Sequence, residues 1–173
     1  MKVEFWLLDA SYDVVRGAPE VRLWGIDREG RRIVILDRSF RPYIYVLPRE
    51  GEEERVAERI ARYSNKYNIL GVEIVDRKYF GRPVKAIKVT LASPRTVPQF
   101  REAVAKVEGV REVLEADIRF YMRYMIDNDI YPCGWHEVEV EEVRNESGWR
   151  VDAVYLAKSR PQYLGSSSPP ELK

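Results

Sequence analysis

The residues able to do chemistry are few. The chain holds one histidine and one cysteine, His136 and Cys133. A thiolate–imidazole pair needs both side chains in one cleft. Here they stand at a loop-to-strand junction, and their proximity reads as accidental. Carboxylates are abundant, but Glu137, Glu139 and Glu141 alternate with Val138 and Val140, which marks the solvent side of a strand. No Gly-rich phosphate loop closing on Lys and Ser/Thr occurs, and no HExxH. The lone cysteine excludes an internal disulfide framework and a Cys-rich zinc site. No catalytic constellation, bound metal or cofactor is expected in this chain.

Binding chemistry is better represented. Arg77, Lys78, Arg82, Lys85 and Lys88 crowd one stretch, and Arg95, Arg101 and Lys106 follow. Such a cluster suits phosphates, and it equally suits a solvated sheet face. The net charge of +1 offers no global attraction to nucleic acid, so any such contact must be local. The densest aromatic run is FRPYIYVLP, Phe40–Pro48; its Arg41-Pro42-Tyr43 entrance suits a binding cleft, and the run equally suits an aromatic edge strand with nothing to bind.

These residues need elements to position them. Hydrophobic content of 45% supports a real core, and 173 residues suit one domain, or one domain with an appendage. Val3–Asp9, Glu20–Asp27 and Arg31–Leu36 read as an antiparallel meander, with Ser11–Pro19 as a turn region. Phe40–Pro48 opens a strand–helix–strand–strand–helix–strand series. Its helices are Glu52–Tyr67, with Val56, Ile60, Tyr63 and Tyr67 inward, and a second from Thr96 to Gly109. Thr96 and Gln99 have capping-box spacing, and Phe100, Val104 and Val107 face inward. Leu70–Tyr79, Val84–Leu91 and Val110–Ala116 complete a ferredoxin-like layer of residues 40–116. A third helix, Ile118–Asp127, is capped by Asp117 and carries Ile118, Met122, Met125 and Ile126 as its core stripe. Trp135–Val143 and Trp149–Lys158 form a hairpin, and Ser159–Lys173 reads as a linker. The expected class is α+β: an antiparallel β-meander, a ferredoxin-like layer, a third helix and a C-terminal β-hairpin. No apolar run reaches the ~18 residues of a membrane span, and a cytoplasmic location is expected. The excess of Arg over Lys and the scarcity of Asn and Gln suit a heat-adapted protein.

A ferredoxin-like sheet invites comparison with RNA-recognition modules, which stack bases on aromatics of their central strands. Val84–Leu91 (VKAIKVTL), the strand expected to carry them, has none. A small-molecule regulatory domain on the same scaffold also stays open.

Five stretches in order are more specific. They are Asp9 with Tyr12 (DxxY), Phe40–Tyr45 (FRPYIY), Phe80–Pro83 (FGRP), Ser93–Glu102 (SPRTVPQFRE) and Ala116–Pro132 (ADIRFYMRYMIDNDIYP). Together they resemble the N-terminal domain of archaeal family B DNA polymerases over roughly residues 1–132. Pro169–Lys173 (PPELK) resembles the segment before that family's exonuclease domain. The family's exonuclease motif and the acidic motifs of its polymerase palm are absent. The resemblance therefore implies an N-terminal domain, excised or stand-alone, with a hairpin at 133–158 and a linker at 159–173 toward a missing exonuclease domain. The parent would be a replicative DNA-directed DNA polymerase using Mg2+, with a 3'–5' exonuclease.

In that family this domain captures uracil and hypoxanthine in the single-stranded template ahead of the active site, which stalls copying. The resemblance places the base pocket on Tyr12, Pro42 and Tyr43, on Pro94, Val97 and Pro98, and on Ile118 and Phe120. Arg101, Arg119 and Arg123 would contact DNA phosphates. A tight wall of Pro42, Val97 and Phe120 would exclude the methyl of thymine. Backbone groups near Tyr43 and Ile118 would match the uracil edge, and cytosine would leave a donor facing a donor. Arg119 stands where the resembling sequences carry proline. The alternatives are a structural or regulatory module that packs on other polymerase domains without binding a base, and an RNA-recognition-like module.

Overall fold

Alternation of apolar and polar side chains makes strands of most of this chain, and a computed structural model describes Met1–Glu171. The strands and helices in order are β1 (Lys2–Val15), β2 (Ala18–Asp27), β3 (Arg32–Asp37), β4 (Tyr43–Pro48), α1 (Glu53–Ala61) and α2 (Ser64–Tyr67). There follow β5 (Ile69–Tyr79), β6 (Arg82–Leu91), α3 (Val97–Ala105), β7 (Val110–Leu114), α4 (Phe120–Asp127), β8 (Trp135–Val143), β9 (Ala153–Ala157) and β10 (Gln162–Gly165). They form two compact units: one is Met1–Phe40 with the chain from Arg119 onward, the other Arg41–Ile118. The class is α+β with largely antiparallel sheets, as expected.

In the first unit the sheet order is β1-β2-β3-β9-β8-β10, and β8 also pairs with β1. Five strands therefore close into a ring, β1-β2-β3-β9-β8, with β10 added to β8. Only β3 and β9 run parallel among its pairings. With α4 between the third and fourth strands of the ring, this is an OB-type barrel. Closure explains β3, where Ile33 and Ile35 alternate with Val34 and Leu36 and all are buried. The first pair lines the main core with Phe5, Leu7, Leu23, Val138 and Tyr155. The second pair lies on the other face with Val154, beneath Trp24 and Trp149. Each fully buried aliphatic contributes roughly 1.5–3 kcal/mol.

The stretch Ser11–Pro19, expected as a turn region, is mostly strand. β1 runs on to Val15, and the reversal is confined to Arg16-Gly17, both with positive φ. Pro19 sits in β2 opposite Val14. Trp149–Asp152 precede β9 rather than belonging to it, because Asn145 holds Trp149 through two side-chain hydrogen bonds. The segment expected as a linker carries β10, paired with β8; Leu172 and Lys173 lie outside the described residues.

The second unit is the ferredoxin-like layer, with sheet order β5-β6-β4-β7. Ile44, Val46, Ile87 and Val89 face Val56 and Ile60 of α1 and Phe100 and Val104 of α3. The helix expected over Glu52–Tyr67 is broken after Ala61. The Ser64 hydroxyl donates to the Ala61 carbonyl at 2.6 Å, competing for a helix acceptor. The apolar period survives, since Val56, Ile60 and Tyr67 are all buried.

Most of the expected core stripe of α4 is turned away, and only Met125 of it packs partly against the core. Met122 and Ile126 are 45% and 63% exposed, Ile118 precedes the helix, and Phe120, Arg123 and Tyr124 are the buried residues. Both faces of this helix are apolar, and period alone did not choose between them. The larger aromatic pair at i, i+4 took the core. Asp117 caps nothing here, because the N-cap is Arg119.

Candidate nucleic-acid interface

In the second unit, Pro42 is buried and its carbonyl accepts from Leu91 N at 2.9 Å. This ties the entrance of β4 to the end of β6, just before Pro94. Tyr43 follows as the first residue of β4, half-buried. Pro94–Thr96 form a 3-10 turn whose N-cap is Ser93; its hydroxyl accepts from Arg95 N at 3.3 Å. Thr96 was expected to cap α3, but its own hydroxyl donates back to the Ser93 carbonyl at 3.0 Å. The 3-10 turn supplies the helix entry that a capping box would otherwise make. Val97 opens α3 half-buried and packs partly against the core cluster of this unit, while Pro98 beside it is exposed.

Arg101, on α3, is ion-paired with Asp117. This pair fastens the segment leading to Ile118 onto α3, a role that Asp117's apparent capping position concealed. Ile118 closes the unit, 39% exposed.

In the first unit, Tyr12 projects from β1 and meets Phe120 edge-on at 5.1 Å between centroids. Phe120 is the first residue of α4 and lies 5.4 Å from the Phe40 ring. Arg119 is exposed, with φ −59° and ψ 138°. That φ is the one proline imposes, so arginine here leaves the backbone path of the resembling sequences accessible. Arg123 was expected at a phosphate, but its side chain is buried, with 7% exposure. Arg119 is the arginine of this helix start that reaches solvent.

Beneath α4 lies a polar hub that sequence reasoning missed. Asp37, almost wholly buried, accepts from the Tyr124 hydroxyl at 2.7 Å and from Arg160 Nη1 at 2.6 Å. Ser39 adds its N–H at 2.9 Å and its hydroxyl at 2.6 Å. Burial raises the Tyr124 phenol, and the Asp37 carboxylate adds to that, so the ring stays protonated as a donor. Sequence separations of 87 and 123 residues left no local signal for this cluster.

His136 is fully buried and does not pair with Cys133, which is exposed. Its Nε2 accepts from Tyr131 N at 3.1 Å, and Nδ1–H donates to the Gly134 carbonyl at 3.0 Å. Burial lowers its pKa, and the Gly134 bond opposes that. Among the described residues, no group of three or more His, Cys, Asp or Glu is placed to hold a metal ion. No helix among them is long and apolar enough to cross a membrane.

Comparison with known proteins meets this architecture directly. The family B DNA polymerase from Pyrobaculum calidifontis superposes with a TM-score of 0.80 at 40% identity, over 97% of this chain and 21% of that one. The chain belongs to the archaeal family B DNA polymerases, as their N-terminal region. A family model described as DNA polymerase family B, exonuclease domain, matches residues 111–171 of it. That stretch takes in β7, α4 and β8 to β10. Among polymerases of this family, DNA polymerase 2 of Aeropyrum pernix is 44% identical over 156 residues, 88% of this chain and 19% of that protein. DNA polymerase 3 of Saccharolobus shibatae is 37% identical over 171 residues, 98% of this chain and 22% of that one. The polymerase region described here thus spans about a fifth of the length of these relatives.

Proposed function

We propose that this region of a family B polymerase binds single-stranded template DNA and captures uracil and hypoxanthine, stalling copying. The observation that carries the reading is where the pocket residues of the resemblance stand. Pro42 and Tyr43 stand at the entrance of β4, and Val97 and Pro98 begin α3. Element starts present backbone groups without partners in their own helix. Pro42 and Val97 offer rigid apolar surface against a thymine methyl. Arg101 and Arg119 supply exposed charge for flanking phosphates. Nucleotidyl transfer, proofreading and their Mg2+ would belong to other domains of the polymerase.

Fluorescence anisotropy with strands carrying one uracil, against thymine controls, tests this. Tighter uracil binding is expected, and Val97→Gln should abolish the preference, a loss of about 1–3 kcal/mol. Equal affinity of the native chain for both strands would refute it.

One observation favours a second role, docking onto other polymerase domains. Met122, Ile126 and Tyr131 line a groove of about 330 Å3 along α4, and all three are exposed. Gel filtration with the remaining polymerase fragment measures that association, and Ile126→Glu should weaken it.

A further inference from the structure

The ferredoxin-like sheet has a second face that the proposed pocket does not use. Side chains alternate across a strand. With Ile44, Val46, Ile87 and Val89 turned to the helices, Tyr43 and Tyr45 of β4 and Lys88 of β6 must point the other way. Arg77 of β5 joins them, since Ile74 pairs with Ile87 and Arg77 stands three positions on. Of the two central strands, β6 carries no aromatic. The aromatics are on β4, the neighbouring central strand.

The contacts on this face form a series. The Lys88 ammonium lies 4.3 Å from the centre of the Tyr43 ring. The Arg77 guanidinium lies 5.2 Å from the Tyr45 ring and donates to its hydroxyl at 3.1 Å. Tyr79, further along β5, hydrogen-bonds Glu112 of β7 although β5 and β7 are opposite edges of the sheet. The β5–β6 hairpin must therefore curl over the open face, making it concave. Two acids belong to the same face: Glu73 stands opposite Lys88 in register, and Glu112 is engaged by Tyr79.

We propose that this concave face, carrying Tyr43, Tyr45, Arg77 and Lys88, is a separate binding surface for single-stranded DNA that reads stacking and backbone charge rather than base identity. Tyrosine rings with cations at their faces are the components of a sequence-tolerant single-strand track: bases stack on the rings, and the cations swing to phosphates. A protein interface is the poorer fit, because interface centres are depleted of charge, whereas Arg77, Lys88 and Glu73 sit among these rings. The proposal does not depend on capture of deaminated bases. Only the backbone of Tyr43 belongs to that reading, and the Tyr45 ring and Lys88 lie outside it.

The test is anisotropy of the 173-residue chain with oligothymidylate of about 16 nucleotides, within the site sizes single-strand modules cover. The native chain should bind. Tyr45→Leu should weaken binding roughly tenfold, the scale of one lost stacking contact. Lys88→Gln should reduce the slope of log K against log salt by about one. Both variants should keep the native uracil-to-thymine affinity ratio, whatever its value. If Tyr45→Leu fails to fold, the half-exposed Lys88→Gln decides alone. Native-like affinity and salt slope in the folded variants would overturn the proposal. So would a native chain that ignores oligothymidylate, including one that instead docks a polymerase fragment through this face.

Discussion

Replacing Asp37 by alanine would remove the acceptor shared by Tyr124, Arg160 and Ser39. Asp37 is 2% exposed and Tyr124 fully buried, so the phenol would lose its partner where water does not replace it. An unsatisfied buried hydroxyl costs about 1–3 kcal/mol. Breaking a buried ion pair by deleting one partner costs about 3–5 kcal/mol when both charges are dry. The Arg160 side chain is 35% exposed, so solvent recovers part of that second loss. A total near 3 kcal/mol follows, or about 6–12 °C in Tm for a chain of this size. Tyr124→Phe removes one hydroxyl and leaves Asp37 its other donors, so about 1 kcal/mol is expected. Guanidinium titration followed by circular dichroism measures both, and hydrogen exchange should show α4 amides opening first in Asp37→Ala. A cost for Asp37→Ala no larger than that of Tyr124→Phe would refute the assignment of this cluster as the anchor of α4.

Two further outcomes follow from buried groups. The His136 pKa is lowered in the fold, so the unfolded chain binds the extra proton first as pH falls below about 6.5. The stability from burying neutral His136 is complete above that value and is lost as pH falls toward and through the depressed folded value, by at most about 1.4 kcal/mol per pH unit. Urea titrations at stepped pH on the native chain and His136→Gln should diverge in slope only there. Arg123→Ala should destabilise by more than about 2 kcal/mol, because Arg123 is a buried charge. Arg119→Gln should leave Tm unchanged and weaken strands of every sequence alike, which anisotropy at several salt concentrations resolves.

Local pattern carried much of this fold. The ferredoxin-like unit was legible because its six elements follow one another with clear periods in a recognisable order, and its β5–β6 pair is a hairpin. The barrel was not. Its closure rests on β1 meeting β8 and β3 meeting β9, more than a hundred positions apart. No window of residues reports such a pairing. The turn residues Asp13 and Pro19 misled for a related reason: a long hairpin tolerates both once its register is set by Tyr12 opposite Val21. The candidate interface divides the same way. Pro42, Val97 and Phe120 could be named from ordered sequence blocks, and their placement at element starts was readable. The burial of Arg123, the Arg101–Asp117 pair and the Asp37 hub were not, since each depends on what a helix face meets after packing. Alternation exposed Tyr45 and Lys88 as soon as the core face was fixed, and the signals for them were present in FRPYIYVLP and VKAIKVTL all along.

The closed ring also sets an order of events on the ribosome. β1 leaves the exit tunnel before the strands it must meet, and its pairing with Trp135–Glu139 waits until those residues have been made. Residues 41–118 complete their own sheet and core well before that, with shorter loops to close. The inserted unit therefore matures first and hangs between two unfinished parts of the barrel, while the apolar strands of the nascent N-terminus stay open along one edge. Domains generally fold as units during synthesis, and unpaired edges are the hazard of that interval. Glu4 and Lys2, charged and on the edge that β8 later covers, are the guards this chain carries through it.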